Sequence, residues 1–341
     1  MSITLKEVAL AAGVSTAAVS KVLHGRAPSV RVSEQRAAHI REIAAQMQYR
    51  PNAVARNLRS SRTHTVGLIF ENFWNISEGP LYYLHLLDGV ASPLFRSHYR
   101  LTILPEIAQD DIFGSLCDGQ LEGVVWCKMV ADAKAMGQCT IPVVAMSPPP
   151  PPDERPTNVY YVSCDERQGL RLAIDHLVGL GHEHVVFLRE WEERENPDAI
   201  ARSQAFLGAA KDQLASSEVL TWGWDFSTLA EWWAGHPRTT AVICWSESAA
   251  GRLLARCAEL GISVPGDLSV IGFDSTQYCD TTSPTLTAVR QPIFEMARSA
   301  SETLLAIIRG DRPESFLTIF PCGLDVRDST ARPRLNAEAT L

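Results

Sequence analysis

From Thr65 onward the chain alternates short apolar runs with stretches of helical length, and this rhythm restricts its fold more than any other feature. The runs are Val66–Phe70, Leu101–Leu104, Gly123–Trp126, Val143–Met146, Val185–Leu188, Ala241–Cys244 and Leu268–Gly272. Each is too short for a helix and long enough for a strand buried on both faces. Strands separated by helices imply parallel α/β sheets. A proline run, Pro148–Pro152, interrupts the pattern as a stiff polyproline II segment, either a surface spacer, the commoner use, or a ligand for a partner. Asn158–Ser163 then reads as a strand crossing into a second α/β lobe. Two such lobes enclose a cleft, and ligands bind there at the carboxyl ends of the strands.

The first sixty residues have a different texture. Thr4 followed by Glu7 is a capping box, and Leu5, Val8 and Ala9 recur at helical spacing. Gly13 suits a tight turn. Ser15 is placed to cap a second helix with an apolar face of Val19, Val22 and Leu23, which ends at His24-Gly25. A third helix is expected from about Ser33 to Gln48, with Ala37, Ile40, Ile43, Ala44 and Met47 inward. Two short helices joined by a glycine turn, with a third beside them, make a helix-turn-helix head. The small residues Ser15, Thr16, Ala17 and Ser20 let the second helix approach base edges, and Lys21 and His24 reach bases or phosphates further along. A plain three-helix packing unit is the alternative.

Charge favours DNA. The chain of 341 residues carries a net −8, but residues 1–63 hold ten Lys/Arg against three Glu, a net +7, which leaves −15 on the remainder. A small basic head on a large acidic body suggests a polyanion-binding module joined to a body that binds something else. Pro51 ends the third helix, and Asn52 can cap a short helix through Leu58 that folds only when something packs on it. By geometry Leu58 is either a linker residue packed on the body or an apolar wedge for the minor groove.

Several classes are excluded or disfavoured. No apolar run approaches the ~20 residues of a membrane span. The start, MSITLKEVAL, has no signal-peptide pattern, so a cytoplasmic protein, nucleoid-associated when on DNA, is expected. The eight cysteines contain no CxxC pair and read as reduced thiols, mostly buried. GxGxxG after a strand, GxxxxGK[ST], GxSxG and HExxH are all missing. His182-Glu183-His184 lacks metal-site spacing. No cofactor, metal or catalytic activity is expected.

The segments VALAAGVSTAAVSKVLHG, YRPNAVARNL and THTVGLIF resemble the lactose-repressor (LacI) family of bacterial transcription regulators. The body resembles it at HLVGLGHEHVVFL (176–188), at 249–275, at SPTLTAVRQP (283–292) and at VRDST (326–330). This implies a head over 1–50, a hinge helix and linker over 51–63, a periplasmic-binding-protein-like body over 64–330 and a tail over 331–341. The body's N-lobe is expected at about 64–161 with 291–322, and its C-lobe at about 162–290 with 323–330. The resemblance also implies a recognition helix over 15–24 and a hinge whose Asn52, Ala55 and Leu58 meet DNA, with Leu58 as the minor-groove lever. Thr16 and Ala17 fall where the family sets operator choice, and Ala18 departs from the family's threonine. The implied partners are a double-stranded operator, a second copy of the chain and a small effector, a sugar or sugar derivative.

Effector candidates follow the same resemblance. Arg202 sits in the family's R-x-x-G-[FY] motif, here R-S-Q-A-F, and its guanidinium forms a rigid fork for hydroxyls or carboxylates. Asp274 ends a strand in GFD and can accept two hydroxyls; taken without the resemblance, both Arg202 and Asp274 would by default read as members of surface ion pairs. Phe226 stands where relatives stack an aromatic ring on a sugar, with core packing as the alternative. Asp165 matches an acidic position that equally suits helix capping. Trp245-Ser246 replaces the family's Asn-Asp, which implies an aromatic platform, a different ligand orientation or a lost effector response. Asn72 and Phe73, ending the first strand, are further candidates. The loop Arg189–Glu195 is expected to be solvated more often than to line the cleft. The rival readings are a regulator without small-molecule gating, a solute-binding protein and an α/β enzyme.

Overall fold

The computed structural model describes residues 3–24, 30–49, 62–70, 80–104, 116–127 and 136–334, the side chains of His24 and Phe70 excepted. The chain divides into two compact units, 1–63 and 64–341.

In the first unit, α1 (Leu5–Ala11), α2 (Thr16–His24) and α3 (Glu34–Gln46) surround a small core of Val8, Ala9, Ala12, Val19, Ile40 and Ala44, and Ala37 is also buried. The capping box is formed: Thr4 Oγ1 accepts from the Glu7 amide at 3.3 Å, and Glu7 Oε2 accepts from the Thr4 amide at 2.6 Å. Gly13 takes φ +64°, the left-handed turn that lets α2 fold back on α1. Ser15 Oγ accepts from the Ala18 amide at 3.2 Å and so starts α2. Ser33 caps α3, which ends two residues short of Gln48, where φ turns to +53°.

Among the described residues, the second unit holds two six-stranded sheets. The first runs in the order β2 (Arg100–Leu104), β1 (Thr65–Phe70), β3 (Gly123–Cys127), β4 (Val143–Ala145), β5 (Val159–Cys164) and β11 (Leu317–Phe320), all parallel. The second runs β7 (Ser216–Trp222), β6 (His184–Glu190), β8 (Ala241–Cys244), β9 (Ser269–Asp274), β10 (Thr287–Arg290) and β12 (Gly323–Asp325). The sheets are parallel as expected, except that β12 pairs antiparallel with β10 at this edge. Because β12 is reached by a short return from the first sheet, no helical crossover turns it parallel. β8 and β9 are buried along their length and β3 up to its half-buried last residue, Cys127, as expected of strands covered on both faces.

The chain passes between the sheets three times: after Cys164, after Arg290, and between Phe320 and Gly323. After the first crossing, α5 (Glu166–Leu180) packs on α6 (Pro197–Ala210), β10 and β12. After the second, α9 (Ile293–Arg309) returns across β3, β4 and β5 and packs along α4 (Tyr82–Arg96). Two further helices, α7 (Leu229–Gly235) and α8 (Glu247–Leu260), follow β7 and β8. His182 is buried between strand and tail, its ring nitrogens 2.7 Å from Thr240 Oγ1 and 2.9 Å from the Ala331 carbonyl.

The α4–α9 contact depends on Gly89. A Cβ there would lie 2.5 Å from the Phe294 carbonyl oxygen and 2.6 Å from Ala297 Cβ. Both obstacles are parts of the neighbouring helix and cannot rotate away. Gly89→Ala should therefore destabilise the body by about 1–3 kcal/mol through overpacking. Urea unfolding should show a lower midpoint at unchanged slope; an unchanged midpoint would mean the helices separate freely.

Candidate functional site

On the head, α2 presents its N-terminal end outward. Ser15, Thr16 and Ala17 are exposed, Ser20 and Lys21 are half-buried, and Val19 on the opposite side is fully buried. Three small side chains at an exposed helix N-terminus suit close approach to a groove. Ser15 already spends its hydroxyl oxygen as the helix cap. His24 closes α2, but its side chain, and all of Asn52, Ala55 and Leu58, lie outside the described residues.

In the body, the carboxyl ends of both sheets face a cavity of about 650 Å³. Tyr82, Tyr83, Cys127, Met146 and Ser147 line it from the first sheet's side. Glu190, Asn196, Asp198, Arg202, Trp245 and Asp274 line it from the second's. Arg202 is at the centre. Its side chain is 5% exposed, and Nε donates to Glu166 Oε2 at 3.1 Å. Nη1 donates to the Trp245 carbonyl at 2.6 Å and lies 3.5 Å from Asp274 Oδ1. The guanidinium also covers the Phe273 ring, 3.8 Å from its centroid. α6 carries this arginine, started by Asn196, whose Oδ1 accepts from the Asp198 amide at 2.9 Å, with Pro197 in its first turn.

Asp274 ends β9 at φ +94°, and Ser275 follows at φ +54°. Two successive non-glycine residues in this region store backbone strain, which aims the Asp274 carboxylate at the cavity floor. Gln291 holds that carboxylate, its Nε2 donating to Oδ1 at 2.6 Å.

Trp245 is fixed by its edge. Its Nε1 donates to Glu190 Oε2 at 3.1 Å, while Glu190 Oε1 pairs with Arg252. Ser246 lines the cavity, but its hydroxyl caps α8, accepting from the Ala249 amide at 3.1 Å. Glu166 has one oxygen, Oε1, buried without a partner. Burial pushes the Glu166 carboxyl from an ordinary 4.5 up to about 7, against the pull of Arg202. Burial likewise pushes Asp198, which opens onto the cavity, from 3.8 up to about 6. Asp274 moves in the same direction for the same reason.

Four of the effector candidates, Arg202, Trp245, Ser246 and Asp274, thus converge on one cavity. Two do not. Phe226 is 1% exposed in the core of the second sheet, its ring 6.2 Å from that of Trp222, so its expected stacking role is replaced by packing. Asp165 caps α5, accepting from the Gln168 amide at 2.9 Å, and its neighbour Glu166 is the acid that reaches Arg202. Asn72 and Phe73 lie outside the described residues. Of the segment Arg189–Glu195, for which solvation is the favoured expectation and cleft lining the alternative, Glu190 at the end of β6 and Glu193 beyond it line the cavity. Asp198 carried a readable signal, since it precedes Arg202 by one helical turn on the same face. Tyr82 and Tyr83 carried none.

The cluster generates a pH dependence with a definite sign. Glu166 and Asp198 hold protons in the folded state that the unfolded chain releases near pH 4, so stability falls as pH rises from about 4.5 towards 7. Glu166→Gln should flatten that decline. Arg202→Met should cost about 3–5 kcal/mol at pH 8, because it leaves buried carboxylates unpaired, and less at pH 5, where they can be protonated. Urea unfolding of both variants across pH 5–8 checks the sign; equal losses at both pH values would refute the coupling.

Comparison with known proteins matches residues 4–52 to the bacterial regulatory proteins of the lacI family, and residues 174–330 to the periplasmic binding protein-like domain. The HTH-type transcriptional repressor PurR of Vibrio parahaemolyticus is 28% identical over 324 residues, covering 91% of this chain and 93% of that one. A lac repressor dimer bound to operator and the anti-inducer ONPF superposes with a TM-score of 0.80 at 21% identity, over 97% of this chain and 100% of that one. The transcriptional regulator CelR in complex with cellobiose gives 0.69 at 23% identity, over 96% and 99%. These two structural likenesses are likenesses of fold.

Proposed function

We propose that this chain, which belongs to the lacI family of bacterial regulatory proteins, is a transcriptional repressor gated by a neutral, hydroxyl-rich ligand in the cleft of its body. The observation that carries this reading is the coexistence, in one chain, of a DNA-type head and a cleft centred on Arg202. The head (1–50) reads one operator half-site through Ser15, Thr16, Ala17, Ser20, Lys21 and His24. The hinge (51–63) enters the minor groove with Asn52, Ala55 and Leu58. A homodimer, the state named for the lac repressor structure, places two heads on a pseudo-palindrome. Such a regulator works where the DNA is, in the bacterial cytoplasm, and among the described residues no helix is long and apolar enough to cross a membrane.

The ligand class follows from charge and shape. Acids on the cavity wall, Glu190, Glu193, Asp198, Glu247 and Asp274, outnumber the cations Arg202 and Arg252. A phosphorylated sugar would meet this excess of negative charge in a poorly solvated cleft. A neutral sugar ring would stack on Trp245 and exchange hydroxyl bonds with Asp198, Asp274 and Asn196. The ligand shifts the equilibrium only by binding one arrangement of the lobes better than the other.

A second reading is a regulator without a ligand response. It is favoured by one observation: Arg202, Trp245 Nε1 and the Ser246 hydroxyl already have protein partners. A thermal-shift panel of neutral sugars, nucleosides and sugar phosphates separates the two. The gated reading expects a stabilising neutral sugar, recovered chemically unchanged, whose effect is lost in Trp245→Ala; stabilisation by phosphates alone would overturn the ligand class.

For the head, selection from a random duplex pool should enrich one pseudo-palindrome. Failure of the folded chain to enrich any sequence, with and without the panel's hits, would overturn operator recognition. If Lys21 meets a phosphate, Lys21→Ala should reduce the slope of log affinity against log salt by about 1.

A further inference from the structure

Two thiols face each other in the body, at the end of the first sheet away from the cavity. Cys117 begins the turn that leads into β3, and Cys139 lies in the turn that leads into β4. These strands are paired, with Val124 opposite Val143, so the two turns lie side by side at their amino ends. The sulfurs are 3.3 Å apart. A disulfide bond is about 2.0 Å long, so closing this pair needs a shift of little more than an ångström.

The two thiols are not equivalent. Cys117 is half-buried, and its sulfur accepts from the Thr140 amide at 3.4 Å. Burial opposes the thiolate there, but hydrogen bonds from Thr140, Cys139 and Ile141 outweigh it and lower the pKa. Cys139 is 4% exposed, and burial, with the neighbouring Cys117, pushes its thiol up to about 11. One sulfur is reachable and biased towards the nucleophilic form; the other is protonated and already in contact with it. Five of the remaining cysteines are buried, and Cys127, half-buried, faces the cavity.

We propose that Cys117 and Cys139 form a peroxide-oxidisable dithiol, a modification site independent of whatever the cleft binds. Hydrogen peroxide transfers one oxygen to the Cys117 thiolate, its O–O bond breaks, hydroxide leaves, and Cys117 becomes a sulfenic acid. The Cys139 sulfur then attacks Cys117 Sγ, the S–O bond breaks, and the displaced oxygen leaves as water with the Cys139 proton. The two sulfurs together lose two electrons, and the peroxide gains them. The place of this crosslink gives it consequence. Five residues beyond Cys117, Glu122 accepts from the His64 amide at 2.6 Å and from the Tyr99 hydroxyl at 2.9 Å. His64 is where the body begins, so the disulfide stiffens the turn that anchors the root of β1.

The test treats the full chain with hydrogen peroxide, denatures it, alkylates free thiols and maps peptides without reduction. The expected result is one linked pair of peptides, holding Cys117 and Cys139 and lighter by two hydrogens. Six cysteines of the eight are alkylated, and dithiothreitol restores all eight. Cys139→Ser should leave a Cys117 sulfenic acid that dimedone captures, and Cys117→Ser should leave Cys139 unlabelled. Circular dichroism checks the fold of the buried Cys139 variant, and Cys139→Ala serves in its place if it does not fold. Eight alkylated cysteines after peroxide, a linkage between any other pair, or dimedone on wild-type Cys117 without a crosslink would each overturn the proposal.

Discussion

The buried guanidinium of Arg202 is the charge around which the body is organised. It joins α6, which carries it, to Glu166 at the start of α5, to Asp274 at the end of β9 and to the Trp245 carbonyl after β8. Taking these charges out of water is costly, and the attraction between them offsets that cost only while the geometry holds. The raised carboxyls of Glu166 and Asp198 record the same competition, with burial outweighing the cation beside them. An arrangement of this kind is poor as a source of stability and good at specifying a single placement of groups.

That placement reaches the crossings between the sheets. Glu166 follows the first crossing directly, and Gln291, which holds Asp274, begins the second. At the third, the Cys322 amide donates to Gln168 Oε1 at 2.9 Å, one turn along α5 from the capping Asp165. A group that enters the cavity and competes for Arg202 or Asp274 would therefore act on bonds at the segments that join the two sheets.

The head was largely legible from its residues because its determinants are local. A threonine and a glutamate three apart, a glycine free to take positive φ and a 3.6-residue apolar rhythm each act within one helical turn, and all three are seen. The strands of the body were legible for a related reason, since residues buried on both faces leave a continuous apolar run. Strands β7, β10, β11 and β12 were not read as runs: β7, β11 and β12 lie at sheet edges with mixed patterns, and β10 is buried up to its exposed last residue, Arg290, but only four residues long. Phe226 and Asp165 show the limit. Each sits in a segment that resembles a ligand-contacting one, and in each the side chain meets a closer local partner, Trp222 for the ring and the Gln168 amide for the carboxylate.

Residue order alone was sufficient for the helix-turn-helix and the α/β class, while the candidacy of Arg202 and Asp274 needed the family resemblance as well. Capping, periodicity and strand ends depend on neighbours within a few positions, and these need no folded chain to be recognised. The cavity is of another kind. Asp198, Glu190 and the Tyr82–Tyr83 pair come from segments far apart in the chain, and only the stacking of two sheets through three crossings brings them to one cavity, with Glu166 buried against its Arg202. The Cys117–Cys139 contact likewise depends on the pairing of β3 with β4. Such proximities follow from long-range packing, which fixes where strand ends meet and leaves no periodic trace in the residues themselves.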